Sequence, residues 1–465
     1  MNARTACVIA ATRFGLGPKP GDLGRIGDDP EGWLRSQLAG SPPRLEDAQL
    51  QGSDTILAHA LELRRERRES RQAAATGDAA AAEVAKVVQY YRPIAVNDAY
   101  ARARMAITTD RPFLERITQF WTNHFAVSID KALILGLAGS YEREAIRPHV
   151  LGSFKDLLLA AERHPAMLLY LDNFQSAGPD SRAARRRRAG RRDRKSGDAA
   201  RRIGLNENLA REILELHTLG AQGGYTQEDV TSFARVMTGW SLNRNAGMFQ
   251  FRPGLHEPGA KRILGRHYRE GGETEGVEVL SDLAAHPSTA RFIATKLVRH
   301  FVADDPPAAA VARVAQVFAK TSGDLPSVYA ALIATPAAWS EPFTKFKSPA
   351  DYIYSAFRGL QLPADREKQV LGAFEVLGQR NYSPGSPAGW PDRSADWDGS
   401  SALLKRIEWA DAVSQRLGRA RDAAALAGEL FGSSLTGATR ESIARAASAA
   451  QALTLLLTSP EFMRR

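Results

Sequence analysis

The sequence predicts a mostly α, multihelical protein: two packed helical halves with one small β-hairpin. Apolar residues recur at helical spacing through most of the 465 residues. Helix punctuation is frequent, as in Asp110-Arg-Pro112, Ser153 before Phe154, Asp305-Pro306-Pro307, Ser348-Pro349 and Ser459-Pro460. Strand-like character is confined to Met248–Arg252 and Arg262–Tyr268, which are expected to pair around the loop HEPGAK.

In chain order, helices are expected near 30–40, 54–75, 78–106 and 111–125, then 139–149, 152–162 and 165–172. The pair 207–219 and 227–239 follows. Beyond it come 273–285, 288–303, 307–321, 324–334, 348–360, 364–376, 401–416, 420–430, 438–447 and 449–457. The length exceeds a usual single core, so the chain divides into an N-terminal helical region at 1–173, a basic disordered insertion at 174–205, a helix pair plus hairpin at 206–270 and a C-terminal helical region at 271–465. The stretch 378–400 is rich in Pro and Gly, and its Trp390 and Trp397 read either as anchors holding a loop to the body or as an aromatic lid.

The formal net charge of +10 is unevenly spread. Between Asp180 and Arg202 lie eleven Arg or Lys and three Asp, a net +8 that leaves +2 for the rest. That segment carries no large apolar residue, so it is expected to be disordered. It also lacks aromatic residues for stacking on single strands, which makes nucleic acid an unlikely partner and leaves an acidic partner open. Cys7 is the single cysteine, which excludes a disulfide framework and a cysteine-rich zinc site. No apolar run is long enough for a transmembrane helix. The first eighteen residues do not read as an export signal, so the expected location is cytoplasmic, or exported if the true start lies upstream.

The helix pair carries the densest polar pattern. Asn206 or Asn208 caps the first helix, Gly220 closes it, and Thr226 with Asp229 opens the second as a form of capping box. On a regular wheel Glu207, Asn208, Arg211, Glu212, Glu215 and Thr218 share one arc, while Leu209, Ile213, Leu216 and His217 lie opposite. This face reads either as a solvated helix side with i,i+4 ion pairs or as an acidic site held by Arg211.

Here the sequence resembles the bacterial domain-of-unknown-function family numbered 1800, through NENLAREILELHTLG at 206–220, GGYTQEDV at 223–230 and the TGW ending at 238–240. The likeness extends to RFGLGP at 13–18, FWTNHF at 120–125, HPAMLLYLDN at 164–173 and HEPGAKRILG at 256–265. It continues through HPSTARFIATKLVRHFVADDPP at 286–307, KFKSP at 345–349 and GWPD at 389–392. The resemblance implies no activity. It does imply a partner, because members are often encoded beside proteins of the family numbered 1501, which resemble phosphatases and sulfatases.

Two functional readings stand. The first is a metal- or carboxylate-dependent hydrolase with a polar cleft on the signature helix. Its candidate catalytic residues are Glu207, Arg211, Glu212, Glu215 and His256, with a glutamate as general base and Arg211 as anion clamp. Asn208, His124, Lys261, Trp390 and Asp392 are the candidate binding residues, and His124, His256 and Glu215 the candidate ligands of a divalent metal. The second reading is a non-enzymatic scaffold or accessory partner in envelope or polysaccharide processing. No HExxH, GxSxG, Walker or GxGxxG pattern decides between them. His217 and His300 read as core histidines, and Lys345 with Lys347 as a solvated pair or an anion site.

Overall fold

A computed structural model describes residues 2–62, 79–192, 204–243 and 246–465. The chain is mostly helical, with two small antiparallel sheets of two strands each. Its buried apolar residues form two clusters. The larger draws on residues from Cys7 to Ala338 together with Tyr382. The smaller runs from Phe346 to Met463 and recruits Val8, Leu16, Ala103, Ala106 and Ile107 from the N-terminal part. The long helix Ala79–Thr108 therefore begins in one half and ends against the other.

In the N-terminal half Ala79–Thr108 packs on Ala132–Tyr141. The two approach closely because Gly136 and Gly139 present no side chain: a Cβ at either would overlap the Tyr91 ring or the Asp98 carboxylate. Beyond Tyr141 the backbone widens into a π-helical turn, Glu142–Ile146. It brings Glu142 against two arginines, at 2.9 Å from Arg147 Nε and 2.8 Å from Arg102 Nε. Arg147 also grips Glu115 through two bonds of 2.6 and 2.8 Å. This quartet, buried except for part of Arg102, balances two cations with two anions, the condition under which interior charge is tolerated.

The halves are joined by the N-terminal segment. After Ala3–Ile9 and a π-helical turn at Ala10–Phe14, the backbone of Gly15, Leu16 and Gly17 offers its carbonyls to the surrounding helices. Gly15 O accepts from Arg116 Nε at 2.6 Å and Gly17 O from Arg358 Nε at 2.8 Å, while Ser355 Oγ donates to Leu16 O at 3.3 Å. Gly17 sits at φ +92°, and a Cβ there would meet Ser355. The buried Arg13 reaches the connection between the halves, bonding the carbonyls of Ala338 and Glu341 and the hydroxyl of Thr344. The motif RFGLGP is thus a clasp.

Expected and observed elements differ most at the hairpins and in the basic segment. Met248–Arg252 does not pair with Arg262–Tyr268. Instead Trp240–Leu242 pairs with Phe249–Phe251, and Lys261–Ile263 with Arg266–Tyr268. The second hairpin closes on two residues, Leu264 at φ +49° and Gly265 at φ +79°, a mirror-image turn whose twist suits adjacent strands. A turn that tight selects the nearest strand as partner. The first hairpin is held by Trp240, which is fully buried opposite Phe251.

Part of the basic segment is helical, over Arg182–Arg192. Ser181 Oγ accepts from the Ala184 amide at 3.2 Å as a cap, and Asp180 N donates to Glu257 Oε2 at 2.8 Å, anchoring the helix base. Alanine and arginine are both good helix formers, so a local cap and anchor suffice. Residues 193–203 of the expected disordered insertion lie outside the described residues, as do 63–75 of the expected helix 54–75. Among the described residues no helix is long and apolar enough to cross a membrane.

Candidate functional site

A cleft of about 90 Å³ opens between the two halves. Arg102, Arg116, Gln119 and Asn123 line it from the N-terminal half. Lys345, Asp351, Arg380, Trp390, Asp392, Trp397 and Arg465 line it from the other, with His300 at its base. Helix Pro112–His124 supplies Arg116, Gln119 and Asn123 on successive turns of one face. Helix Pro287–Phe301 supplies His300 from its last turn.

The second half is assembled by a pairing of distant segments. Phe346 forms an antiparallel bridge with Arg464, so Lys345 and Arg465 exchange backbone bonds of 3.1 and 2.8 Å. This draws the last residue of the chain into the cleft, where Arg465 is 3% exposed. Asp351 takes Arg116 Nη1 at 2.9 Å on one oxygen and Arg465 Nε at 3.0 Å on the other. Lys345 is enclosed by acceptors: Asp304 Oδ1 at 2.6 Å, Arg299 O at 2.9 Å and the Asp392 carbonyl. It sets the path of the loop that carries Asp392.

That loop is also held from the other side. Asn123 accepts from the Trp390 amide at 2.7 Å and donates to the Trp390 carbonyl at 2.8 Å, imitating a strand pair. Gly389 precedes it at φ +79°, where a Cβ would run into the Asn123 carbonyl. Trp390 and Trp397 lie at 5.9 Å between ring centroids, and Trp397 Nε1 bonds Pro391 O at 3.1 Å.

The electrostatics are lopsided. Five cationic side chains face two carboxylates in the lining. Burial works against the Asp351 carboxylate, yet Arg116 and Arg465 hold it well below the usual range. Burial pushes the Arg116 guanidinium down to about 10, with Asp351 opposing. Asp392 Oδ1 lies 3.0 Å from His300 Nδ1. The Asp392 carboxyl, buried but facing His300, Lys296 and Lys345, is lowered to about 2. Burial brings His300 down to about 4 despite its bond to Asp392, with Arg465 and Arg116 adding to the effect. His300 is therefore neutral at pH 7, with its Nδ1 proton directed at Asp392. Its Nε2 has no hydrogen-bond partner, and neither have Arg465 Nη1 and Gln119 Nε2. Each unpaired buried donor or acceptor costs about 1–3 kcal/mol, which a fitting ligand would recover.

The signature helix lies elsewhere. Its regular part is Asn208–Glu212, with Asn206 Oδ1 accepting from Asn208 N at 2.9 Å. Glu207 Oε2 bonds Arg211 at 3.1 Å and Gln227 at 2.9 Å, and its Oε1 accepts from Thr231 at 2.7 Å. These contacts keep the Glu207 carboxyl below its usual range, Thr231 first among them. Asn208 is exposed, whereas Glu212 and Glu215 are half-buried. Burial raises the Glu212 carboxyl, and Glu215 adds to it. From Ile213 the helix becomes a π turn to His217, with Thr218 Oγ1 bonding Ile213 O at 2.6 Å. His217 points inward to Glu162, 2.7 Å from Nδ1.

His124 is buried with Nε2 3.1 Å from the His217 carbonyl. His256 Nδ1 meets Thr238 O at 2.8 Å, and its Nε2 lies 3.2 Å from Glu275, which also takes Lys261 at 3.1 Å. HEPGAK thus closes over a buried ion cluster. Among the described residues no group of three or more His, Cys, Asp or Glu is placed to hold a metal ion, and His124, His256 and Glu215 form no such group.

Of the residues singled out in the sequence, Trp390 and Asp392 line the cleft, and His124 adjoins it through Asn123. Glu207, Asn208, Arg211, Glu212, Glu215, His256 and Lys261 are not in its lining. Sequence reasoning passed over Arg116, Asp351 and Arg465, and it read His300 as a core histidine. A signal was present: FWTNHF, the VRHF run, KFKSP and GWPD all meet here.

Fold and cleft together define a two-lobed helical protein with a cationic interlobe site. The family model described as "Protein of unknown function (DUF1800)" matches residues 9–464, and the chain belongs to that family. No curated protein and no solved structure matches it.

Proposed function

We propose that the chain is a hydrolase whose substrate carries a compact anionic group, and that the cleft between the halves is its active site. One observation carries the reading: His300 is held by Asp392 through Nδ1, with Nε2 unpartnered, in the same lining as Arg465, whose Nη1 is unpartnered although its guanidinium pairs with Asp351. The anionic group pairs with Arg465 and Arg116, whose partner Asp351 fixes both. A water beside it gives its proton to His300 Nε2 as its oxygen bonds to the phosphorus, sulfur or carbonyl carbon of the ester. The ester bond breaks, the departing alkoxide takes that proton back from His300, and Asp392 stabilises the imidazolium in between. Trp390 and Trp397 belong to the same lining, their ring centroids 5.9 Å apart.

What supports the cleft over the signature helix is partnering. The Glu207 and Arg211 side chains satisfy one another and Gln227 at the surface, whereas the cleft contains donors with nothing to bind. A second reading, the accessory partner, draws support from the exposed Arg182, Arg185, Arg186 and Arg188, which suit an acidic protein surface. The test is calorimetric titration with sulfate and phosphate, followed by hydrolysis screens on phosphate, sulfate and carboxylate esters. Micromolar-to-millimolar anion binding abolished in Arg465→Met, with turnover lost in His300→Gln while anion binding persists, is expected. Anion binding that survives Arg465→Met would overturn the reading.

A further inference from the structure

A second, smaller chamber of about 40 Å³ adjoins the cleft. The two share Arg102, Asn123 and Trp390 as common walls. Their chemistry differs. The rest of its lining is Thr122, Ala126, Val127, Ala138, Tyr141, Tyr382 and Pro384, and the one charged residue there is Arg102. That guanidinium is already engaged, at 2.8 Å from Glu142 and 2.9 Å from Asn381 Oδ1. The chamber has no free charge to offer and little need of one.

We infer that this chamber is the subsite for a short uncharged substituent attached to the anionic group, so that the natural ligand is an anionic compound bearing a small apolar arm. The inference rests on the anion-binding cleft proposed above and specifies what that ligand looks like. Geometry limits the arm. A water-sized group needs about 10–15 Å³ of such space, so the chamber accepts about three non-hydrogen atoms in line. Ala126, Val127 and Ala138 are each at most 5% exposed and belong to the packed core around Tyr141, so the walls do not yield readily to a longer chain. The shared wall places the arm next to the anion: Asn123 fixes the Trp390 backbone by two bonds, and both residues line both chambers.

The placement also gives Arg102 a role as a positioning residue. Held by Glu142 and Asn381 and lying 5.3 Å from the Tyr382 ring centroid, it lines both chambers. A ligand with a long or charged arm would meet this guanidinium or the closed apolar wall.

The experiment is a calorimetric series on the full chain with methyl-, ethyl-, propyl-, butyl- and hexylphosphonate. Affinity should rise about threefold to fourfold per added carbon, the worth of one buried methylene, and stop rising after about three carbons. Ala138→Leu, which fills the chamber, should flatten the rise. Val127→Ala, which enlarges it, should carry the rise one or two carbons further. Methylphosphonate serves as the control: if it fails to bind the wild type, the anion-binding reading itself has failed. If it binds and the series is flat, or climbs steadily through hexyl, the subsite is wrong while the cleft stands.

Discussion

Sulfate binding should raise the pKa of His300, and the size of the effect follows from the cleft. In the free protein burial and the nearby Arg465 and Arg116 bring the imidazole to about 4, against the bond from Asp392. A sulfate paired with Arg465 leaves roughly one net negative charge near the ring. At a separation of roughly 6 Å and an effective dielectric of about 20, that charge favours the imidazolium by about 3 kcal/mol, or about two pKa units. Of the groups facing His300, Asp392 acts in the same direction as the sulfate, whereas Arg465 and Arg116 oppose it. The bound form should then titrate near 6, where a histidine works well as a general base.

The sign has a second consequence. Because the folded-state pKa lies below the ordinary value of 6.5, the unfolded chain takes up the proton first, so stability falls as pH drops from 6.5 toward 4. Sulfate narrows that window, and by reciprocity its affinity climbs as pH falls through the same range. Long-range nitrogen–proton correlation spectra of the imidazole, recorded against pH with and without sulfate, measure the shift directly. A displacement under half a unit, with sulfate shown to be bound, would refute the placement of the anion beside His300.

Other consequences are as direct. Arg147→Met strands Glu115 and Glu142 in the interior without their shared cation and should cost about 3–5 kcal/mol in urea unfolding; a loss below about 1 kcal/mol would show that the quartet is not a unit. Lys347 is buried with its ammonium 2.6 Å from Phe462 O, and burial first, then Arg116, Arg406 and Arg465, push its pKa down to about 7. Its unfolded form holds the proton up to the ordinary value of 10.5, so the lysine's contribution to stability improves from pH 7 upward, by as much as about 1.4 kcal/mol per unit. Lys347→Met should lack that slope and be the more stable protein at pH 7, and parallel stability–pH curves would contradict the assignment. Gly389→Ala forces a side chain onto the Asn123 carbonyl at a left-handed φ, so sulfate affinity should drop about tenfold with the helical circular dichroism unchanged.

Much of the scaffold was legible because its causes are local. Ser153, Asp324, Thr226 and Ser348 each cap the helix that follows them, and the capping box of Thr226 with Asp229 forms as the spacing indicated. Gly220, at φ +83°, ends the signature helix as its position suggested. Trp390 and Asp392 stood out because aromatic and acidic residues in a Pro/Gly-rich loop need a partner. The hairpin pairing was misjudged for an equally local reason, the two-residue turn at Leu264 and Gly265.

What the sequence alone determined, then, is the helical content and the capped helix ends, since periodicity and capping act within a few residues. Only tertiary structure decided where the charges meet. His300 and His217 look alike on their helices. One faces Asp392, 92 residues away in the chain, at the edge of the cleft, and the other faces Glu162 in the core. Arg465 becomes a cleft residue through the bridge between Phe346 and Arg464, a pairing with no local signal. The π turn at Ile213–His217 breaks the regular wheel on which the signature face was judged. A buried charge is stabilised by whichever opposite charge the fold delivers to it, and that choice depends on long-range contacts that no window of sequence contains.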